Sequence, residues 1–241
     1  MYSPSIPEAP ILELRRLRQA LFLLVAEIEI HALGAILAFS ALLFSMPIIG
    51  LGKDELLMFL WVAAQIGAAS TLAGMVGRFG CRTVGAWKFV YGAVALDMVV
   101  FLIGLVAITG LVPTWVVFWA ELPRLISFVL TLGYLTELAL GASDNEIAEL
   151  LRQTAKALLW QLGLWPAVIF TTLGACFGAV AFACIVLPLI PLGLICLGVF
   201  LFVRVIVNYS FAVRKLRAVV TRRINELEEG IVPSSSANSL Q

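Results

Sequence analysis

The sequence predicts an all-α membrane protein, a polytopic bundle of six transmembrane helices in three hairpins, with amphipathic helices at the interface. Two features of the composition lead to this class. Of 241 residues, 62% are hydrophobic and 13% are charged, whereas about a quarter of a typical soluble domain is charged. The apolar residues also form long uninterrupted segments, as required to cross about 30 Å of hydrocarbon. A net charge of +1 gives no basic surface typical of nucleic-acid binding, so no nucleic acid is expected as a partner.

Six apolar segments have the length of a membrane span, and short polar or proline-containing turns separate them. The predicted spans are 28–51, 56–79, 88–112, 114–141, 161–187 and 192–211. We treat 1–230 as one membrane domain, in which a cytoplasmic helix over 211–229 continues the last span. The Ser-rich tail 231–241 has the composition of a flexible linker or a cloning remnant.

Basic residues predict the orientation of these spans, because cytoplasmic loops carry an excess of Lys and Arg. Lys53 is on the opposite side, and Arg124 and Arg204 lie within spans. The other thirteen of the 16 Lys and Arg residues fall on one side, namely Arg15, Arg16, Arg18, Arg78, Arg82, Lys88, Arg152, Lys156, Arg214, Lys215, Arg217, Arg222 and Arg223. We therefore expect a multi-pass protein of the cell membrane with both termini in the cytoplasm.

The hairpin formed by spans three and four contains charges in its interior. Asp97 and Arg124 are equidistant from the turn at Gly110, so they lie at matching depth in an antiparallel hairpin and predict a buried ion pair. Glu121 is placed one turn before Arg124 on the same face. Because charges in hydrocarbon are costly, such groups either serve an ion or substrate pathway or join helices together. The two interpretations have equal weight here.

Other polar residues extend this predicted pathway. Gln65 lies in the second span, and Pro123 is expected to act as a hinge, since proline removes a helical hydrogen bond. Glu27 and His31 have i, i+4 spacing and are interpreted as a possible proton-linked pair, although a position of Glu27 at the headgroup boundary is the favoured alternative. With one His a metal site is not expected, and no cofactor is predicted.

Two local patterns predict details of helix packing and capping. Small residues recur with helical spacing along the second span, which allows close approach of another helix; they are Ala63, Gly67, Ser70, Gly74 and Gly77. Ser143 and Glu146 have the spacing of a capping box ahead of an amphipathic helix over 147–160, which is expected to lie on the membrane surface. A proline-containing turn is predicted at 188–191, before the sixth span.

The predicted cytoplasmic helix 211–229 carries a cluster of basic residues near the membrane. Such residues attract anionic lipid headgroups by roughly 1 kcal/mol each. The predicted lipid contacts are Arg214, Lys215, Arg217, Arg222 and Arg223.

No enzyme signature is recognisable, since G-x-S-x-G, H-E-x-x-H and P-loop patterns are all missing from the sequence. Catalytic residues are therefore not assigned. The leading hypothesis is a transporter- or channel-like protein that moves a small solute, proton, ion or lipid through Asp97, Glu121 and Arg124. The alternative is a membrane scaffold or accessory subunit, binding a homo-oligomeric copy or another membrane protein. A hydrated cavity at the charges would favour transport, and a dry packed interior would favour the scaffold.

Overall fold

The computed structural model describes residues 6–44, 53–108, 114–177 and 183–231. Within them the all-helical prediction is confirmed, because helices and short turns make up all of the described chain. The α-helices are α1 (Ile11–Phe44), α2 (Lys53–Gly80), α3 (Trp87–Ile108), α4 (Thr114–Gly141), α5 (Asn145–Phe177) and α6 (Ala183–Ile231). Single 3-10 turns lie at Ile6–Glu8 and Cys81–Thr83.

Three helices of the described chain are long and apolar enough to cross a membrane. The segments are Trp87–Val106 in α3, Pro123–Gly141 in α4 and Leu197–Gly230 in α6. Each exceeds the length of about 17 residues that a span needs. The first and third have few buried residues, 17% and 22% of their most apolar stretches, so their side chains mostly face outward.

Helix boundaries agree best with the prediction in the second, third and fourth segments. The fourth helix is Thr114–Gly141, as predicted, and it continues through Pro123. The turn predicted at 188–191 is wrong, because α6 begins at Ala183 and includes both prolines. The helix is continuous over Pro188 and Pro191, although each proline lacks the N–H that would donate to the carbonyl four residues earlier. The end of the first span, the turn 109–113 and the tail from 232 lie outside the described residues.

The hydrophobic core lies where the first half of α1 packs against the second half of α6. Leu17 and Leu21 of α1 and Leu216 and Val220 of α6 are all fully buried. The two helices are antiparallel, since Arg15 pairs with Glu228 at 2.6 Å and Glu29 pairs with Arg214. The apolar faces of these two helices are therefore buried against each other.

The amphipathic stretch 147–160 is helical as predicted and packs part of its apolar face against the core; its position on the membrane surface stays a prediction. It is the first part of α5, which continues without interruption to Phe177, and Ile147 and Leu151 are buried in the common core. An apolar helix face can be buried against lipid or against a neighbouring helix, so periodicity alone does not show which of the two covers it.

The small residues of α2 lie against α1 at one end of the stripe. A Cβ atom added at Gly77 would be 3.1 Å from the carbonyl oxygen of Ala20, and one added at Gly74 would overlap the carboxyl of Glu27. At Gly67 the same atom would meet nothing within 4 Å. The predicted close contact therefore exists towards the C-terminal end of α2, where the backbone of α1 approaches.

The connection between α4 and α5 shows a different cap from the predicted one. Ser143 has a left-handed φ of 59°, and the backbone N–H of Asp144 donates to the carbonyl of Ala139 at 3.0 Å, which closes α4 as a Schellman motif. The side chain of Asp144 accepts from the N–H of Ile147 at 3.0 Å. Asp144, rather than Ser143, is therefore the N-cap of α5, and Glu146 pairs with Lys215.

Replacing Asp144 by alanine is expected to destabilise the protein by about 1 kcal/mol, because the first turn of α5 loses its side-chain acceptor. Denaturant titration in mixed micelles would measure the change in the free energy of unfolding. The matched variant Ser143→Ala removes a hydroxyl that provides no cap and should cost less. If Ser143→Ala lowered the free energy of unfolding more than Asp144→Ala did, the capping box predicted from the spacing of Ser143 and Glu146 would be supported instead.

Candidate functional site

A buried cluster of charges centred on Arg78 joins four helices. The guanidinium of Arg78 on α2 lies 2.6 Å from Asp97 on α3 and 2.9 Å from Glu27 on α1. Its Nε donates to the hydroxyl of Thr131 on α4 at 2.7 Å. Arg78, Asp97 and Glu27 are 2%, 2% and 7% exposed. The fork of the guanidinium, which presents donors in several directions in one plane, suits an arginine to this bridging position.

The fourth helix holds its part of the cluster through local hydrogen bonds. Thr131 accepts from Arg78 while its hydroxyl donates to the carbonyl of Ser127 one turn earlier, at 2.9 Å. The Ser127 hydroxyl donates to the carbonyl of Ala93 on α3 at 3.1 Å. These short side chains bond to helix carbonyls without breaking the helix. They therefore keep α3 and α4 in register beside Asp97.

Gly74 provides the space that the cluster occupies over α2. A Cβ atom at this position would lie 2.3 Å from the Glu27 carboxyl and 2.4 Å from an Arg78 nitrogen. Both distances are far below van der Waals contact, so the ion pair lies directly on the helix surface at the glycine. Because Gly74 has no side chain, the carboxyl of Glu27 from α1 can lie directly on the surface of α2.

The predicted ion pair between Asp97 and Arg124 is wrong. Asp97 pairs with Arg78, and Arg124 donates to the hydroxyl of Ser70 on α2 at 3.0 Å. The predicted alignment of α3 with α4 agrees with the structure, since the hydrogen bond from Ser127 to Ala93 has nearly the register expected for residues 124 and 97. Alignment of Asp97 with Arg124 along the two helices did not make them partners, because Arg78 of α2 lies closer to Asp97. Arg124 remains near enough to act electrostatically on Asp97 and Glu27.

The other residues of the predicted pathway, Gln65, Glu121 and Pro123, are not seen together at the Arg78 cluster. Gln65 is exposed on α2, away from the buried charges. Glu121 belongs to α4, but its side chain lies outside the described residues. Pro123 lies within a helix that continues on both sides of it, so its role as a hinge stays a prediction.

Glu27 and His31 do not form the predicted pair. Glu27 is part of the Arg78 cluster, whereas the His31 ring contacts Phe202 of α6 edge to face, with centroids 6.4 Å apart. Glu29 pairs with Arg214 of α6. The i, i+4 spacing put Glu27 and His31 on one face, but each finds a partner on a different helix.

The cluster is closed to water on the side of Arg78. A small void beside it is lined by Leu24, Arg78, Cys81, Val90, Thr131 and Tyr134, and it has no room for a water molecule. Among the described residues, two polar atoms are buried there without a hydrogen-bond partner, Oε2 of Glu27 and the hydroxyl of Tyr209. Tyr209 on α6 is fully buried and lies within electrostatic range of Glu27.

Sequence reasoning missed Arg78 as a site residue. It was counted with the cytoplasmic loop charges, because it is close to the end of its span. One signal was available, namely that Arg78 follows Gly74 and Gly77 on the small-residue face that was expected to contact another helix. Tyr134 was missed as well; its hydroxyl lies 3.1 and 2.9 Å from the carbonyls of Cys81 and Val84 and holds the connection between α2 and α3.

Several basic residues predicted to contact lipid headgroups contact carboxylates of the chain itself. Arg214 pairs with Glu29, and Lys215 lies 2.7 Å from Glu146. Arg223 lies 3.1 Å from Glu226, and Arg217 stands 5.1 Å from the ring of Phe22. Exposed pairs of this kind contribute at most about 1 kcal/mol each, so they leave these side chains able to exchange partners.

Burial raises the pKa of the Cys81 thiol from 9.0 to about 12. Cys81 lies in the connection between α2 and α3 and is fully buried. Because the thiolate is the reactive form, alkylation at pH 8 should be about a thousandfold slower than for an ordinary thiol, and the rate should rise with pH up to about 12.

The measurement uses a variant in which Cys176, Cys184 and Cys196 are alanine, so that Cys81 is the remaining thiol. The matched control places the thiol next door, with Arg82→Cys and Cys81→Ala, because Arg82 is exposed. Equal maleimide rates at the two positions in the folded protein would contradict the burial of Cys81.

The described residues include no group of three His, Cys, Asp or Glu side chains placed to hold a metal ion.

Comparison with protein-family models, with curated proteins and with solved structures gives no match for this chain. The fold and the cluster together define a class of molecule, a helical protein with membrane-length apolar helices and a buried arginine that bridges two carboxylates.

Proposed function

We propose that this chain is a multi-pass protein of the cell membrane, with six spans and both termini in the cytoplasm. The three membrane-length helices and the basic residues on one side support this placement. The outward-facing apolar side chains of α3 and α6 suit contact with hydrocarbon, since a soluble monomer rarely exposes large apolar patches.

Lys53→Cys in a cysteine-free background tests the topology. Lys53 is the basic residue assigned to the outer side, so an impermeant maleimide should label this position from outside intact cells. Arg217→Cys, at the opposite face of the membrane, should be labelled only after permeabilisation. Labelling of Lys53→Cys only after permeabilisation would invert the model.

Within this membrane protein, we propose that the chain is a non-transporting scaffold or accessory subunit. The observation that carries this proposal is the closed packing of Arg78 between Glu27 and Asp97, beside a void that cannot hold water. A transport pathway needs polar groups that water or a solute can reach. Here the guanidinium already donates to three side chains on three other helices, which is the arrangement of a structural link.

The outward faces of α3 and α6 are the surfaces that such a subunit would offer to a partner. On α3, Leu102 is 57% exposed, and Met98 and Leu105 lie on the outside as well. On α6, Phe200 and Val203 are exposed beside Arg204. A charged side chain next to an outward apolar face suits a membrane-protein partner with a carboxylate or a lipid phosphate.

Proton-linked transport is the second candidate, favoured by one specific observation. Oε2 of Glu27 and the hydroxyl of Tyr209 are buried, and neither has a hydrogen-bond partner among the described residues. A carboxyl oxygen that accepts nothing is the place where a proton would bind. On this hypothesis Glu27 would exchange a proton while Asp97 remains paired with Arg78.

Reconstitution into liposomes separates the two functions. Purified protein in vesicles loaded with a pH-sensitive dye is given a pH gradient and a membrane potential. A scaffold leaves the proton leak at the level of empty vesicles, and Glu27→Gln changes nothing. A proton leak that requires the protein and disappears in Glu27→Gln would contradict the scaffold proposal and support proton-linked transport.

In native membranes, a photoreactive amino acid at Leu102 should cross-link to a discrete protein if the chain is a subunit. The control position is Arg222, which is exposed beyond the apolar part of α6. Cross-links to lipid alone at Leu102 would contradict the partner-binding role of α3.

A further inference from the structure

An open groove runs between the start of α5 and the middle of α6, away from the Arg78 cluster. Its volume is about 590 Å³. Charged side chains line one end, namely Glu146, Glu149 and Lys215. Towards the other end lie the apolar Phe211 and Val207, together with the uncharged polar side chains Gln153 and Asn208. The groove belongs neither to the predicted pathway nor to the charge cluster.

The polarity of the groove changes along its length. Lys215 lies 2.7 Å from Glu146 where the apolar part of α6 gives way to its basic part. One and two turns deeper on the same face of α6 are Phe211 and Val207, which are 54% and 59% exposed. In the proposed membrane orientation, the charged end is at headgroup level and the apolar end is among the acyl chains. An amphiphile is the type of ligand that matches this order.

The charges at the headgroup end are of both signs. Lys215 supplies an ammonium, and Glu146 and Glu149 supply carboxylates, with the Gln153 amide 3.4 Å from Glu149. Arg152 approaches Glu149 to 3.8 Å, and Asp144 also acts electrostatically on Lys215, so both signs are present with a small excess of carboxylates. Anionic lipid gains little from such a site, since an added negative charge would meet two carboxylates, whereas a zwitterionic headgroup meets both signs.

We propose that this groove binds a zwitterionic phospholipid with a primary ammonium group, of the phosphatidylethanolamine type. The phosphate is placed at Lys215, and the ammonium donates to the carboxylate of Glu149 or Glu146. The acyl chains follow Phe211 and Val207. A primary ammonium donates hydrogen bonds to carboxylates and a trimethylammonium does not, which distinguishes this headgroup from choline.

The ion pair between Lys215 and Glu146 does not obstruct this binding. Both side chains are partly exposed, at 38% and 82%, and an exposed pair is held weakly. On binding, each partner exchanges one opposite charge for another. The proposal rests on the proposed membrane placement, since it assigns the two ends of the groove to headgroup and acyl chain.

Native mass spectrometry of the full chain in detergent micelles tests the assignment. Phosphatidylethanolamine, phosphatidylcholine and phosphatidylglycerol with identical acyl chains are titrated in turn. We expect the ethanolamine lipid to bind about tenfold more tightly than the other two, as for one charge-assisted hydrogen bond. Glu146→Gln combined with Glu149→Gln should remove most of this preference, whereas Lys215→Ala should weaken the binding of all three lipids, because each of them carries the phosphate.

Arg217→Ala is the matched control, because Arg217 is a basic residue on the same helix that faces Phe22 rather than the groove. It should leave the preference unchanged. Circular dichroism of each variant establishes that it remains folded. Equal binding of all three lipids, or an unchanged preference when both Glu146 and Glu149 are replaced by glutamine, would overturn the groove assignment.

Two outcomes separate this proposal from the one on which it rests. A chain that stays soluble and monomeric without detergent would refute the membrane placement itself. A dimer that forms without lipid and is abolished by Leu150→Arg would assign the groove to a second copy of the chain and overturn the lipid proposal alone.

Discussion

Replacing Arg78 by methionine is expected to destabilise the protein by about 3 to 5 kcal/mol, the usual cost of stranding a buried charge. The variant leaves Glu27 and Asp97 buried with their principal partner removed, and it also takes the donor from Thr131. Denaturant titration in mixed micelles would measure the free energy of unfolding. Loss of the folded protein on extraction would have the same meaning.

The triple variant Glu27→Gln, Arg78→Met and Asp97→Asn should recover much of this loss, since it leaves no uncompensated charge. Buried ion pairs contribute little net stability relative to apolar replacements, even though breaking one is costly. Recovery would show that the penalty in Arg78→Met comes from the stranded carboxylates. A triple variant less stable than Arg78→Met would contradict the arrangement of the cluster.

Double-mutant cycles discriminate between the two arginines near Asp97. The cycle of Asp97→Asn with Arg78→Met should give a coupling of at least about 1 kcal/mol, whereas that of Asp97→Asn with Arg124→Gln should give less. Arg124 bonds to Ser70 and acts on Asp97 only at longer range. A larger coupling with Arg124 would restore the pair predicted from hairpin symmetry.

Gly74→Ala is expected to have the second large effect, a loss of at least about 2 kcal/mol, because overpacking of a filled interior is costly. The new methyl group would be 2.3 Å from the Glu27 carboxyl and 2.4 Å from Arg78. Glu27 and Arg78 would have to move, and the 2.9 Å contact between them would lengthen. The same titration in mixed micelles measures this variant.

Gly67→Ala is the matched control for Gly74→Ala. Gly67 belongs to the same helix and the same small-residue stripe, but a Cβ atom there would meet nothing within 4 Å. Alanine should therefore be neutral or stabilise the helix by up to about 1 kcal/mol. Equal losses at the two positions would mean that the stripe, and not the charge cluster, determines the effect.

The two sets of variants also bear on function. If the cluster is a structural link, the triple variant should keep any partner interaction once it is folded. If Glu27 carries a proton, the folded triple variant should lose proton movement while its stability is largely restored. Stability and activity are thus separable at this site, because the ion pairs can be removed together without leaving a buried charge.

The sequence by itself determined the helical class and the positions of most helices. Long apolar segments exclude strands and short loops in hydrocarbon, and the fourth helix begins and ends where its predicted span does. The stripe over Gly74 and Gly77 also predicted close helix contact, because small side chains are visible in the sequence. These are local properties, and each depends on residues within one segment.

The tertiary structure alone decided which charges meet. Glu27, Arg78 and Asp97 come from three helices, and no spacing within one segment records how those helices are rotated about their axes. The hairpin correctly predicted the register of α3 against α4 but not the partner of Asp97. The register fixes the position along the helix axes, whereas the rotation of α2 about its own axis decides that Arg78 contacts Asp97. The same holds for the amphipathic helices. Their periodicity predicts an apolar face, but it does not say whether lipid or another helix covers that face. The tertiary structure shows that the apolar faces of α1 and α6 pack against each other.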